Sequence, residues 1–236
     1  MPEARPDHGL TAADAQRRIR RSPLLFTAPL VLVSVFVAML VWEVVRSNVS
    51  RETQQDWPWQ LELLDTQTLG SLIAVGAGVG FARAQYARTA RPMLGWRAGW
   101  LTGEFAPDVR AWDVGVFNSG QHNAVIEEVA YQVKYRERDS SPRPGVPWTD
   151  YIGLVDALDE AGLKLARDYR CEILGAGFPM IGSGSYETVR AGAFTERFVR
   201  EVDAVYMRVR VTDAVGDSHE RVMNLLKGAM LELESS

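Results

Sequence analysis

Three histidines, His8, His122 and His219, are the residues best suited to proton transfer or metal ligation, and no two of them stand at a ligand spacing. Only the fold could bring His122 and His219 together, and a satisfied or solvated ring is the commoner role for each. Residues 175–182 (GAGFPMIG) imitate a phosphate loop but lack the terminal Lys-Ser/Thr. Met180 stands where a dinucleotide fingerprint needs its third glycine, and Pro179 breaks the helix that such a cradle requires. This stretch reads as a loop. Ser183 and Ser185 lie in no G-x-S-x-G elbow. The adjacent carboxylates Glu127-Glu128 and Asp159-Glu160 point apart and read as solvated charge. No catalytic residue, metal or cofactor is therefore expected. What remains is arginine: Arg167, Arg170, Arg190, Arg197, Arg200, Arg208 and Arg210 could converge on a small anion. Of these, Arg167, Arg170, Arg208 and Arg210 are the candidate ligand-binding residues.

The element that must position everything else is residues 24–42, LLFTAPLVLVSVFVAMLVW, which contain no charge. At about 1.5 Å per residue a helix of this length covers about 28 Å, close to the roughly 30 Å hydrocarbon thickness of a bilayer. The run exceeds the h-region of a signal peptide, and no small-x-small cleavage pattern follows it. Residues 67–82 (QTLGSLIAVGAGVGFA) are uncharged, shorter and rich in glycine, and are expected to form a second span. Gly70, Ala74 and Gly78, and separately Gly76 and Gly80, repeat at four-residue spacing, a pattern that lets helix backbones approach closely. The packing partner would be the first span or a neighbouring copy.

Arg17, Arg18, Arg20 and Arg21 precede the first span, at the end of an expected short helix begun by Thr11. Arg83, Arg88 and Arg91 follow the second, where Trp96 and Trp100 could form an aromatic belt. These arginines are expected to face lipid head groups. Residues between the spans are acidic, and Trp57 and Trp59 flank Pro58 as an interfacial anchor. Basic flanks on both outer ends place the two termini in the cytoplasm. The expected order is a basic tail over 1–22, spans over 23–45 and 66–83 with an external acidic loop over 46–65, a basic juxtamembrane linker over 84–98, and a cytoplasmic domain over 99–236. Free Cys171 fits a reducing compartment and excludes an internal disulfide.

The formal charge of -4 divides unevenly: residues 1–98 carry 11 Lys+Arg against 8 Asp+Glu, and residues 99–236 carry 15 against 22. An acidic domain argues against binding a nucleic-acid polymer. Its texture is of short β-type segments between turn signals. In residues 109–117 Trp112, Val114 and Val116 share a face. Asn118-Ser119-Gly120 then turns the chain, with Asn and Gly accepting positive φ. In residues 125–135 Val125, Val129, Tyr131, Val133 and Tyr135 share a face, interrupted by Glu127. Residues 136–147 read as an exposed loop and 149–161 as one short helix stopped by Gly162, with a strand pair as the rival. Residues 170–174, 186–194 and 205–211 read as strands. Asp213 to Gly216 should close a hairpin onto a strand over 219–226, and residues 231–233 are a possible last strand. The fold class expected is an N-terminal transmembrane α-hairpin plus an all-β sandwich, or alternatively a small β-barrel, with one short helix.

Two resemblances follow from these residues. Asn118-x-Gly120 leading to Ala124, with Val209-x-Val211-x-Asp213-x-x-Gly216, resembles a pattern in bacterial membrane proteins that join a helical hairpin to an immunoglobulin-like sandwich, most of them without an assigned function. In its architecture the chain is also similar to two-span β-barrel effectors of cyclic-oligonucleotide anti-phage systems. That likeness implies a domain that senses a nucleotide and spans that disrupt the membrane. Three roles are thus expected in descending order: a scaffold that binds a protein or its own copies, a ligand-gated effector, and an enzyme.

Overall fold

A computed structural model describes residues 15–20, 23–136, 145, 147–182 and 188–235. The expected helix begun by Thr11, the residues Arg21, Ser183 and Ser185, and most of the 136–147 loop lie outside the described residues. The chain divides into two compact units, residues 22–89 and a discontinuous unit of residues 1–21 with 90–236.

The smaller unit is helical. Helix α1 runs Pro23–Ser47 and helix α2 runs Thr66–Thr89, with a single tight turn at Thr53–Gln55 between them. Over Thr27–Ser47, α1 is long and apolar enough to cross a membrane, and no other described helix is. The second span expected over 66–83 is a helix, but it fails the same measure, because its glycines and glutamines lower its hydropathy and Arg83 and Arg88 extend its last turns. The two helices pack where α2 is smallest: a Cβ on Gly76 would come within 2.8 Å of Val33 Cγ2. The indole rings of Trp42 and Trp59 stack with centroids 5.2 Å apart, and Trp42 donates to the Leu61 carbonyl.

The larger unit consists of two antiparallel sheets around one core, with helices at its margins. Strands are β1 (Arg17–Arg20), β2 (Leu94–Thr102), β3 (Arg110–Asn118), β4 (Ala124–Tyr135), β5 (Tyr169–Cys171), β6 (Pro179–Met180), β7 (Val189–Thr195), β8 (Val202–Thr212) and β9 (Ser218–Asn224). One sheet has the order β1-β9-β8-β4-β6, the other β2-β3-β7-β5. Trp112, Val114 and Val116 of β3 and Val205, Met207, Val209 and Val211 of β8 all point into the shared core, as their alternation predicts. In β4 the expected face holds from Val129 onward and fails before it. The ladder with β8 slips between Ile126 and Glu128, so Ile126 is buried and Val125 is exposed.

Among the described residues three helices, not one, belong to this unit, which makes it a mixed rather than an all-β unit. Helix α3 (Tyr151–Glu160) is capped by Asp150, whose carboxylate accepts from the Gly153 N–H at 2.9 Å, and Gly162 stops it at φ 84°. Helix α4 (Glu196–Glu201) begins where Thr195 accepts from the Phe198 N–H. Helix α5 (Ala229–Ser235) replaces the strand expected over 231–233. Ala229 and Leu233, one turn apart, are buried while Leu231 is exposed, and a strand would bury Leu231 and Leu233 together.

The other corrections are at the boundaries. Residues 94–98 of the expected linker are the first half of β2, and Trp96 and Trp100 lean on the core instead of forming a belt. Arg17, Arg18 and Arg20 lie in a strand, because β9 offers an open edge and buried carboxylates that a helix could not reach in register.

Candidate functional site

The arginines do not converge. They divide among three places, and in each a carboxylate answers them. On the β1-β9-β8-β4 face, Arg210 bridges Glu128 at 2.5 Å and Glu220 at 3.1 Å, while Arg208 reaches Glu128 at 3.0 Å and stacks over Trp148. Arg17 joins them at 2.5 Å from Glu220. Arg170 and Arg190 share Glu104 at 2.9 and 2.8 Å, and Arg190 also holds Asp113. Arg167 and Arg197 share Asp168 at 2.8 and 3.1 Å, and Arg200 lies 4.0 Å from Glu196. A guanidinium that faces a carboxylate has spent much of its field before any ligand arrives.

The carboxylates bear the marks of this pairing. Burial alone would raise the Glu220 carboxyl, but the hydrogen bonds from Arg17 and Arg210 hold it below the ordinary range. Asp168 behaves alike: burial opposes, and Arg167, the Lys164 N–H and Arg197 prevail. At Glu104 the Arg190 hydrogen bond is the leading cause of a lowered value. Glu127 and Glu128 are not the free solvated pair expected, since Ser218 and Thr212 donate to Glu127 and two arginines reach Glu128.

The histidine of the hairpin is structural. Asp213 accepts from the backbone N–H groups of Val215 and Asp217, both at 2.9 Å, and its second oxygen lies 2.9 Å from His219 Nε2. Gly216 supplies the left-handed residue at φ 83°. The neighbouring Ser218 hydroxyl is directed to Glu127, so His219 and Ser218 make no nucleophile–base pair. Among the described residues no group of His, Cys, Asp and Glu could hold a metal ion.

Asn118 and Gly120 act otherwise than the turn signal suggests. Neither is left-handed. The Asn118 side chain is buried, accepts from the Met93 and Gly120 N–H groups at 3.0 Å each, and donates to the carbonyls of His122 and Met180. It locks the crossing from one sheet to the other. Gly120 is needed because a Cβ there would meet the Arg91 carbonyl at 3.0 Å. Residues 175–182 form a turn and the short edge strand β6, with Pro179 at its outer position.

On α2, Gly76 packs on α1, whereas a Cβ on Gly70, Gly78 or Gly80 would touch nothing and Ala74 is exposed. Arg83 and Arg88 lie in α2. Arg91 lies beyond it in the larger unit, where it reaches the Gln16 carbonyl at 3.5 Å.

One feature of recognition character was not foreseen. Strand β2 ends its sheet and is nine residues long, while the outer strands β5 and β6 have three and two. Its register against β3, continued by the Ser119-to-Met93 and Gly103-to-Val109 hydrogen bonds, turns the odd-numbered residues toward β3. The N–H and C=O groups of Trp96, Ala98 and Trp100 therefore face outward, and none has a backbone partner among the described residues. Leu94 is the exception: the Gln16 side chain accepts from its N–H and Arg221 donates to its carbonyl. The spacing of Trp96 and Trp100 marked a strand as well as a membrane belt, and that was the signal available in the sequence. No family model matches this chain, and no curated protein is detectably similar to it.

Proposed function

We propose that the chain is a membrane-anchored interaction module, in which a cytoplasmic immunoglobulin-like sandwich binds a protein partner or its own copies. The observation that carries this reading is the edge of β2, a row of backbone groups with no backbone partner among the described residues, flanked by half-buried tryptophans. Such an edge is a template for an added strand. The anchor is α1, with α2 as its return pass. Apolarity supports only the first of these, and connectivity supports the second. Strand β1 precedes α1, strand β2 follows α2, and both belong to the same compact unit. Gln16 joins the two ends directly, donating to the Pro92 carbonyl at 2.7 Å and accepting from the Leu94 N–H at 2.9 Å. A chain that leaves one side of a bilayer and returns to such a bond crosses an even number of times. The basic residues Arg83 and Arg88 favour the cytoplasmic side for that bond. No catalytic step is assigned.

A reporter fused at Asn48 and another at the C-terminus test the topology; they should report opposite sides of the membrane, and the same side for both would overturn it. For the module itself, a photo-crosslinking residue at Arg97, on the same strand, should capture a protein. Absence of any adduct, with the strand folded, would end the reading.

A second reading, a ligand-gated effector like the anti-phage proteins named above, draws on a cleft of about 380 Å³ rimmed by Arg110, Arg167 and Arg197. Asp108, Asp168 and Glu196 share that rim and weaken it as an anion site. Calorimetric titration of the purified chain with cyclic oligonucleotides separates the readings: heat of binding lost in R167A would favour the effector.

A further inference from the structure

Resting on the module reading above, we propose that β2 pairs antiparallel with β2 of a second copy of this chain, about a two-fold axis at Ala98. The two sheets would join edge to edge.

The strand is self-complementary in this register and in few others. Ala98 is the midpoint of Leu94–Thr102, and centring there pairs Trp96 through Trp100 of the two copies while Leu94 keeps Gln16 and Arg221. It sets Trp96 opposite Trp100 of the second copy, and lets the outward groups of Trp96, Ala98 and Trp100 bond those of Trp100, Ala98 and Trp96. It also sets Arg97, the one charge on the strand, opposite Gly99. Moving the axis by one residue to Arg97, a two-residue change of register, would oppose two guanidiniums and is disfavoured. Gly99 adds room, since a Cβ there would meet nothing within 4 Å. The core-facing side of the strand carries Trp96, Ala98 and Trp100, all half-buried, so pairing removes apolar surface from water along with the open backbone groups.

Beyond Leu94, whose outward groups Gln16 and Arg221 cover, the strand lacks the usual protections of an edge. It has no proline, no inward charge and no bulge against β3. The opposite sheet's β9 edge, by contrast, is already covered by β1. Two anchored copies would also meet at raised effective concentration in the plane of a membrane.

The test is disulfide trapping of the full chain in native membranes. In the proposed ladder Ala98 faces its own counterpart as a hydrogen-bonded pair, with Cα atoms about 5.5 Å apart, inside the range that a disulfide bridges. Ala98→Cys should give a reducible dimer on mild oxidation. Gly99→Cys alone should not, because its own counterpart lies beyond about 7 Å. Mixed R97C and G99C chains should crosslink to each other. The unmodified chain is the background, since its single thiol, Cys171, is buried. Ala98→Pro should weaken association at least about tenfold, since it deletes an outward donor on each copy and leaves the β3 ladder intact. Equal trapping of Gly99→Cys and Ala98→Cys, or association unchanged in Ala98→Pro, would overturn the register. If the crosslinker at Arg97 captures a different protein and Ala98→Cys yields no dimer, the second copy is excluded while the module reading survives. If neither yields an adduct, both fall.

Discussion

The two sheets present two opposite kinds of edge. At one, β9 is covered by four residues of the N-terminal segment, whose arginines reach buried acids: Arg17 to Glu220 and Arg18 to Asp217. At the other, β2 ends the sheet, and among the described residues no strand lies beside it and no acid pairs with its single charge. The first edge is closed by exposed arginines matched to buried acids, and the second ends in a strand whose lining is tryptophan, alanine and glycine. Closure here costs a polar network; openness costs exposed backbone. Among the described residues, then, the chain covers one sheet's edge with its own N-terminal strand and places no strand on the other.

The comparison breaks most sharply at Glu220, which three arginines approach and which is almost wholly buried. Glu220→Ala should cost about 1.5–3 kcal/mol, because it removes a buried carboxylate that accepts charge-assisted hydrogen bonds from Arg17 and Arg210, whose guanidiniums stay partly exposed. Urea unfolding of the detergent-solubilised chain reads this, and a loss under about 1 kcal/mol would show the first edge to be held by backbone pairing alone. Acid should loosen the same edge without mutation. Glu220 has a lowered folded value, so its contribution is complete above the ordinary carboxylate value of 4.5 and is lost as pH falls below it. Glu104 and Asp168 act in the same direction. Thermal midpoints should fall together with pH through that window, and Glu220→Gln should flatten the slope.

A smaller effect is expected from Arg17→Ala. Its side chain is mostly exposed and Glu220 keeps Arg210, so about 1 kcal/mol or less is at stake. The informative readout is hydrogen exchange at the β9 amides, which should speed up if β1 detaches. The smallest effect belongs to the second edge. Ala98→Pro should change the stability of the domain by no more than about 0.5 kcal/mol, since the Ala98 N–H faces away from β3. A large loss there would mean that β2 is covered after all.

Alternation made most of the β architecture legible, because burial on one face leaves a period of two wherever a strand is regular. It worked at Trp112, Val114 and Val116 and along β8. It failed at Val125, where a slipped register moves the pattern by one residue, and at 231–233, where two leucines two apart satisfied a strand but Ala229 and Leu233 made a helix. The one described helix apolar enough to cross a membrane was legible from composition alone. The arginine sites were legible only as residue types: nothing local to Arg170 says that Glu104 will meet it 66 residues away. The assignment of Arg17 and Arg18 to lipid failed for the same reason, since proximity to an apolar run in sequence outweighed an invisible pairing with β9.

That pairing sets an order of biogenesis. Arg17 and Glu220 are 203 residues apart, so the first strand to leave the ribosome waits for the last. At roughly 5–20 residues per second the interval is on the order of 10–40 s. Within it, residues 22–89 are synthesised before any residue of β9. The sheet therefore seals only after both helices of the smaller unit have been made, and a chain truncated before β9 would leave Arg17 and Arg18 without the acids they reach.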